Sequence, residues 1–153
     1  MGYRSAVAIV IRANPNQPDA KQKFQEQLAL VKVEGLFDGM AKRWNPEDWG
    51  YNDEMFIFHA EEVKWYVSMF PDVQLVMDIW QRFADAEGDY SPSRWSGYFL
   101  RVGEEYQDVE ELFMGDDVPY ELMSLERRIS LAFSAVPLGN IKSDLTNEEN
   151  ENA

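Results

Sequence analysis

Cysteine is absent from the 153-residue sequence, and the residues and motifs typical of catalysis are scarce. Without cysteine the chain has no disulfide, thiolate metal site or thiol nucleophile, and it is compatible with a reducing compartment. His59 is the only histidine and lies in an apolar segment, which favours a core or edge histidine over a general base. No GxSxG, P-loop, GxGxxG or HExxH motif occurs. The sequence therefore predicts a protein that is not an enzyme and binds no cofactor.

Long hydrophobic runs are also missing. The apolar run near the start, residues 6–11, lies between Arg4 and Arg12. It is shorter than the core of a signal peptide and far shorter than the roughly 20 residues that span a membrane. We expect a cytoplasmic protein that does not associate with membranes.

Positive charge is scarce, and its distribution is uneven. The chain has 28 acidic and 14 basic residues, a net charge of −14. Residues 1–50 contain six acids and seven bases, residues 51–100 nine and three, and residues 101–153 thirteen and four. Such a field repels nucleic acid and anionic membranes and attracts basic protein surfaces. We therefore expect a basic partner protein and no direct nucleic-acid binding, with solubility alone as the simpler explanation of the charge.

The composition is that of a folded protein. Hydrophobic residues make up 45% and aromatic residues 14% of the chain, too much for a disordered acidic protein. The length fits one domain, which we assign to residues 1–140, followed by a disordered acidic tail at 141–153. The order of elements is β-α-β-α-β-β-β. It predicts an α+β fold in which an antiparallel sheet of about five strands is packed on one side by two helices.

Hydrophobic periodicity defines the elements in the first two-thirds of the chain. Residues 5–12 have the pattern of a central strand buried on both faces, and residues 54–60 have that of another strand. Two helices are predicted to begin at the Pro-Asp pairs at 18–19 and 71–72 and to end at Gly35 and Gly88. Residues 35–53 have no regular period, so we predict a long packed loop, with a helical turn over residues 36–43 as an alternative for that part of it. Trp44 and Trp49 in this loop are candidates for exposed anchors at a protein interface.

Strands dominate the last third of the chain. Residues 97–102 and 108–114 are predicted to form a hairpin joined by residues 103–107. Apolar and polar residues then alternate over residues 123–133, which predicts a single strand, with a helix as the competing interpretation.

A cluster of acidic residues on this hairpin is the main candidate binding site. Strands lie ~4.8 Å apart and residues on one face recur every ~6.6 Å, so several carboxylates should lie in one plane and approximate a row of phosphates. A merely solvated hairpin is the alternative. Adjacent strand residues point to opposite faces, so neighbouring acids here are poorly placed to share a metal ion. The candidate partner-binding acids are Glu104, Glu105, Asp108, Glu110, Glu111, Asp116 and Asp117.

Three segments carry a resemblance to a known group of proteins: MGYRSAVAI, VKWYVSMFPDVQLVMDIW and GYFLRVGEEYQDVEE. Together they resemble small acidic accessory proteins carried by bacteriophages and prophages, which tend to begin MGYRS-D-V-A. Ala6 replaces the acid here, and residues 35–53 are peculiar to this chain. The similarity covers residues 1–111 in patches. It implies a phage accessory protein acting in the host cytoplasm and brings no catalytic residue with it.

These observations favour a phage-encoded, non-enzymatic inhibitor that occludes a basic host protein surface. One such target is a nucleic-acid-handling defence complex, as for an anti-CRISPR or another anti-defence nucleic-acid mimic. A second hypothesis is a nucleotide binder or sponge that uses Arg12, Lys42 and Arg43 for phosphates beside the loop tryptophans. A third is a metal-dependent hydrolase built on paired carboxylates.

Overall fold

The computed structural model describes residues 4–87, 92–105, 107–116, 123–125 and 129–131. Within these residues it contains three helices and seven strands, with a five-stranded antiparallel sheet at the centre, so the predicted α+β fold is confirmed. The elements are β1 Ser5–Ala13, α1 Ala20–Val33, α2 Leu36–Arg43, β2 Trp49–Tyr51, β3 Met55–Val63, α3 Pro71–Glu87, β4 Trp95–Gly103, β5 Val109–Met114, β6 Met123–Leu125 and β7 Ile129–Leu131.

The strand β1 lies in the middle of the sheet, whose order is β2-β3-β1-β4-β5. Its two neighbours, β3 and β4, both run antiparallel to it. Val7, Ile9 and Ile11 are fully buried on the face that meets the helices, and Ala8 and Val10 are fully buried on the opposite face. The prediction of a central strand buried on both sides is therefore confirmed.

Three helices, not two, contribute to the layer against the sheet. Phe24 of α1, Phe37 of α2 and Phe83 of α3 are all fully buried in one core with β1. Phe24 lies 5.2 Å from Phe83 between ring centroids, which joins α1 to α3. Burial of a large aromatic side chain stabilises the fold by roughly 1.5–3 kcal/mol, so these contacts fix the helices on the sheet.

The predicted long loop at residues 35–53 is wrong, because this segment holds α2 and β2, but the helical turn predicted within it coincides with α2, Leu36–Arg43. Gly35 adopts a φ of 86°, a left-handed conformation that ends α1 and lets the chain turn directly into α2. The strand β2 then pairs with β3 through Trp49 opposite Phe58 and Tyr51 opposite Phe56. Both elements are too short for hydrophobic periodicity to distinguish them from an irregular packed segment.

The predicted single strand at residues 123–133 is also wrong. Residues in its range form two short strands, β6 and β7, which pair with each other through Met123 opposite Leu131 and Leu125 opposite Ile129. Two paired strands keep the same alternation as one long strand, so the sequence pattern did not separate the two arrangements. The strand β7 lies against β1, β3 and β4. Residues 132–153, with the predicted tail, lie outside the described part of the chain.

Among the described residues, β5 forms one edge of the sheet. The Gly103 N–H donates to the Asp108 carbonyl over 2.8 Å, which sets the alternation of hydrogen bonds between β4 and β5. In an antiparallel pair the hydrogen-bonded positions recur every second residue. Glu110, Leu112 and Met114 therefore bond to β4, whereas the backbone groups of Glu111 point away from β4.

Candidate protein-binding surface

The hairpin formed by β4, residues 104–108 and β5, here called the acidic hairpin, carries the candidate acids. It contains five acidic residues and one basic residue, and a sixth acid, Asp116, follows two residues after β5. Asp117 lies outside the described residues. The structure gives each remaining acid a separate environment, which decides whether it can face a partner.

Arg101 is the single base of the acidic hairpin, and it binds two of the acids. Its Nη2 donates to Asp108 Oδ1 over 2.8 Å and its Nη1 to Asp108 Oδ2 over 3.1 Å, so the pair is bidentate. Its Nε donates to Glu110 Oε1 over 3.0 Å, and Nη1 also reaches Ser5 Oγ over 3.0 Å. The hydrogen bond with Asp108 raises the pKa of Arg101 above its ordinary value. The negative charge of Asp108 is therefore largely neutralised by Arg101 within the fold.

Glu110 and Glu111 project to opposite faces of β5, as the sequence predicts for neighbouring strand residues. Glu110 lies beside Arg101, on the face that meets the helices. Glu111 accepts a hydrogen bond from the hydroxyl of Tyr98, a fully buried residue on the opposite face. Both glutamates remain exposed. Each carboxylate is thus held in position while it still meets solvent.

Glu104 and Glu105 are exposed at the tip of the acidic hairpin. Glu104 Oε1 accepts the backbone N–H of Arg4 over 2.8 Å. The Arg4 side chain turns the other way and donates Nη1 to the Glu62 carbonyl over 3.0 Å. The start of the chain therefore holds the Glu104 carboxylate at the tip.

Asp116 serves mainly to anchor the exit of the acidic hairpin. Its Oδ2 accepts the Ser93 N–H over 2.8 Å, and its own N–H donates to Ser93 Oγ over 2.8 Å. Asn14 Nδ2 donates to the same Ser93 Oγ over 2.9 Å, and Ser96 Oγ donates to Asn14 Oδ1 over 3.1 Å. The sequence reasoning did not find this polar cluster, whose members are separated by up to about a hundred residues along the chain.

The expected flat row of carboxylates is therefore not what the described residues form. Asp108 is paired and Asp116 is an anchor. Asp116 is exposed as well, and four further exposed acids lie at the tip of the acidic hairpin and on the two faces of β5. They are Glu104, Glu105, Glu110 and Glu111. Glu110 and Glu111 lie on the faces of β5, while the Glu104 carboxylate at the tip points towards the start of β1, where Arg4 binds it.

The expectation that Trp44 and Trp49 are exposed anchors is wrong. Trp49 is only 3% exposed and stacks on Phe37 at 6.0 Å between ring centroids. Trp44 is partly buried, packs edge-on against Phe58 at 4.9 Å and donates its indole N–H to the Asp72 carbonyl over 3.1 Å. Pairing of β2 with β3, together with coverage by α2, encloses these rings in the core.

The three bases of the nucleotide hypothesis do not come together. Arg12 lies on the sheet face away from the helices and lines a cavity of about 350 Å³ with Lys21 and Glu54. Lys21 pairs with Glu54 there at 3.4 Å. Lys42 and Arg43 end α2, and Arg43 pairs with Asp72 of α3 at 2.7 Å. The hypothesis has no shared phosphate-binding cluster among these residues.

The metal and histidine hypotheses gain no support from the described residues. Among them, no group of three or more His, Asp or Glu side chains is arranged to hold a metal ion. His59 is partly buried within β3, in agreement with the prediction of a strand histidine. Its backbone N–H donates to the Asp48 carbonyl over 2.7 Å.

Glu87 is a buried acid that the sequence reasoning missed. It lies at the end of α3 and is only 3% exposed. Its Oε1 accepts the Arg94 backbone N–H over 2.9 Å, and its Oε2 lies 3.8 Å from Arg94 Nε. Burial raises the pKa of Glu87 above its ordinary value, although Arg94 acts in the opposite direction. An acid in the last turn of an amphipathic helix gives no sequence signal of this burial.

Comparisons with protein-family models, curated proteins and solved structures found no match to this chain. None of the helices within the described residues is long and apolar enough to cross a membrane.

Proposed function

We propose that this protein acts without catalysis, by binding a basic surface of another protein through its acidic hairpin. The observation that carries the proposal is the set of four exposed carboxylates at the tip of the acidic hairpin and on the two faces of β5, three of them held by named contacts. Arg4 holds Glu104, Arg101 holds Glu110 and Tyr98 holds Glu111.

Preorganisation is the physical reason to favour these acids over those near the end of the chain. Ordering a flexible residue on binding costs roughly 1–2 kcal/mol, which reduces the affinity that its charge contributes. Carboxylates on a paired strand have already lost that freedom during folding. They also concentrate negative potential at one edge of a protein whose net charge is −14, which speeds the encounter with a basic partner.

The resemblance to phage accessory proteins is the basis for proposing a target in the host cell. It supports an inhibitor that acts in the host cytoplasm and covers a nucleic-acid-binding surface, such as that of a CRISPR-type or other defence complex. Because the exposed acids lie at the tip of the acidic hairpin and on the two faces of β5 and do not form a flat row, we propose occlusion of the basic surface and not an imitation of duplex geometry.

A competition experiment tests this function. The tagged protein is used to capture partners from bacterial lysate at ~50 mM and ~500 mM salt, since exposed charges are largely screened at the higher value. We expect a basic nucleic-acid-binding protein that is released by high salt and that loses its own nucleic-acid binding when this protein is added. Capture of chaperones alone, or a partner that still binds nucleic acid normally, would contradict the proposal.

A further inference from the structure

We propose that the outer edge of β5 pairs with an extended basic segment of the partner, which adds a sixth strand to the sheet. This inference rests on the proposed function and specifies how the acidic hairpin would bind. Its starting point is that β5 is the last strand of the five-stranded sheet within the described residues. An edge strand offers backbone N–H and C=O groups to a further strand.

The hydrogen-bond alternation identifies the backbone groups that point outward. The hydrogen bond from Gly103 to Asp108 fixes which residues of β5 bond to β4. The backbone groups of Glu110 and Leu112 point towards β4. Glu111 lies between them, so its N–H and C=O point away from β4, towards the edge at which no other described strand pairs. A strand that pairs with β5 would therefore exchange hydrogen bonds with Glu111.

The side chains of β5 specify the chemistry of such a strand. On the face away from the helices, Val109 is 51% and Phe113 is 52% exposed, with Glu111 between them. Phe113 stacks on the buried Tyr98 at 5.5 Å with an interplanar angle of 6°, so its half-exposed ring is held in one orientation. Residues of a paired strand lie directly opposite these side chains. The matching segment has a basic residue opposite Glu111 and apolar residues two positions before and after it.

A second copy of this chain is a poor occupant of the same edge. A symmetric antiparallel pairing centred on the outward-facing Glu111 would place Glu111 directly opposite Glu111 of the other copy. Like charges directly opposite each other destabilise a strand pair. Glu111 therefore disfavours pairing with a second copy of the chain and favours pairing with a basic strand. Both effects select a different protein as the partner.

A pair of variants at position 111 isolates the backbone contribution. Glu111→Ala removes the charge and the bond to Tyr98 but keeps the outward N–H. Glu111→Pro also removes that N–H, and proline is tolerated where the N–H of an edge strand faces outward. The quadruple reversal of Glu104, Glu105, Glu110 and Glu111 to Lys serves as the charge variant. Circular dichroism and thermal melting confirm that each variant is folded.

The probe is the peptide acetyl-Thr-Val-Thr-Arg-Thr-Val-Thr-amide, with a control peptide in which Glu replaces Arg. We expect the Arg peptide to shift the amide resonance of Glu111 more than those of Glu110 and Leu112, and to bind Glu111→Pro about tenfold more weakly than Glu111→Ala. The Glu peptide should bind weakly to the unmodified protein and to the proline and alanine variants. The NMR comparison with unmodified protein stands even if Glu111→Pro does not fold.

The outcomes separate this inference from the proposed function. If the charge variant loses the Arg peptide while the proline and alanine variants bind it equally, the acidic surface is retained and edge pairing is overturned. If none of the three variants changes binding, both proposals are overturned. If sedimentation shows a dimer of the unmodified protein that Glu111→Pro dissociates, the edge pairs with a second copy and the basic occupant is overturned.

Discussion

Arg101 and Asp108 form a bidentate ion pair across the acidic hairpin, with N to O distances of 2.8 and 3.1 Å. The Arg101 side chain is 17% exposed and that of Asp108 31%, so the pair is partly withdrawn from water. The same guanidinium also holds Glu110 and Ser5. One arginine therefore joins β1, β4 and β5. Its positive charge also offsets the repulsion between the neighbouring carboxylates of Asp108 and Glu110.

Loss of this arginine should destabilise the hairpin. Replacing Arg101 with Met leaves two carboxylates without their cation, and hydrogen bonds to charged groups contribute ~1.5–3 kcal/mol each. Part of that is recovered from water because both carboxylates are accessible, so we expect a loss of ~2 kcal/mol in urea unfolding. Arg101→Lys keeps the charge without the planar fork and should lose about half as much. Unfolding midpoints equal to that of the unmodified protein for both variants would refute this role.

Gly115 should be intolerant of any side chain. Its φ is 78°, and a Cβ built there would lie 2.5 Å from the Trp95 carbonyl oxygen and 2.7 Å from Ser96 Oγ. Gly35 is a matched control, since its φ is 86° but nothing lies within 4 Å of its Cβ position. We expect Gly35→Ala to cost ~1–2 kcal/mol from the left-handed conformation alone. Gly115→Ala should cost at least ~3 kcal/mol, because steric overlap with the backbone is added. Equal costs in chemical denaturation would show that the close approach is not important.

Glu87 should make stability depend on pH. Its pKa is raised in the folded state, mainly by burial, with Asp116 acting in the same direction and Arg94 in the opposite one. A raised acid pKa gives stability that is fully present below the unfolded value and is lost as pH rises through the folded value. Glu87→Gln should therefore raise the melting temperature at pH 7–8 by ~2–4 °C, the shift that about 1 kcal/mol produces in a domain of this size.

The gain from Glu87→Gln should disappear at pH 4, where the unmodified carboxyl is largely protonated in both states. Asp85→Asn serves as the control, because Asp85 is an exposed acid on the same helix. It removes an exposed charge and no buried one, so it should not raise the melting temperature at pH 7–8. A gain for Glu87→Gln that is independent of pH would show that the buried charge is not its cause.

The acidic end of the chain should be dispensable for binding. Residues 143–153 contain four acids, yet the sequence predicts no fixed structure for them. Ordering such residues on contact costs free energy that offsets their attraction. Deletion of residues 143–153 should leave the dissociation constant within about threefold of that of the full chain, or ~0.6 kcal/mol, in calorimetry with the captured partner. A tenfold loss of affinity would show that residues 143–153 form part of the binding site.

Much of the fold could be predicted from periodicity, and the failures have physical reasons. The strand β1, the helices α1 and α3, and the β4–β5 pair are long enough for a period of 2 or 3.6 residues to be counted. The helix α2 has eight residues, so the sequence indicated only a helical turn there, and β2 has three residues, too few for any period to be counted. The alternation across residues 123–133 did not tell one strand from a paired ribbon.

The sequence predicted that the candidate acids lie on one hairpin, but it did not predict which of them are paired within the fold and which can face a partner. Counting charges placed the acids on one hairpin, and strand geometry separated Glu110 from Glu111. The roles of Arg101, Tyr98 and Ser93 depend on which residues stand opposite one another across strands and turns, which composition does not specify. The prediction that Trp44 and Trp49 are exposed was wrong for a related reason, because their burial depends on the pairing of β2 with β3 and on the position of α2.

Reversal of the exposed hairpin acids, compared with a matched reversal elsewhere, is the most direct measurement of the central claim. The test variant changes Glu104, Glu105, Glu110 and Glu111 to Lys. The control variant changes four other exposed acids, Asp38, Glu47, Asp53 and Asp85, to Lys. Each variant moves the net charge from −14 to −6, because four reversals add eight charges.

Affinity for the captured basic partner is measured by calorimetry at one salt concentration, after circular dichroism has confirmed that both variants are folded. We predict that the hairpin variant loses at least ~100-fold in affinity, or about 0.7 kcal/mol for each of the four sites, while the control loses less than ~10-fold. Equal losses in the two variants would show that overall charge, and not the acidic hairpin, attracts the partner.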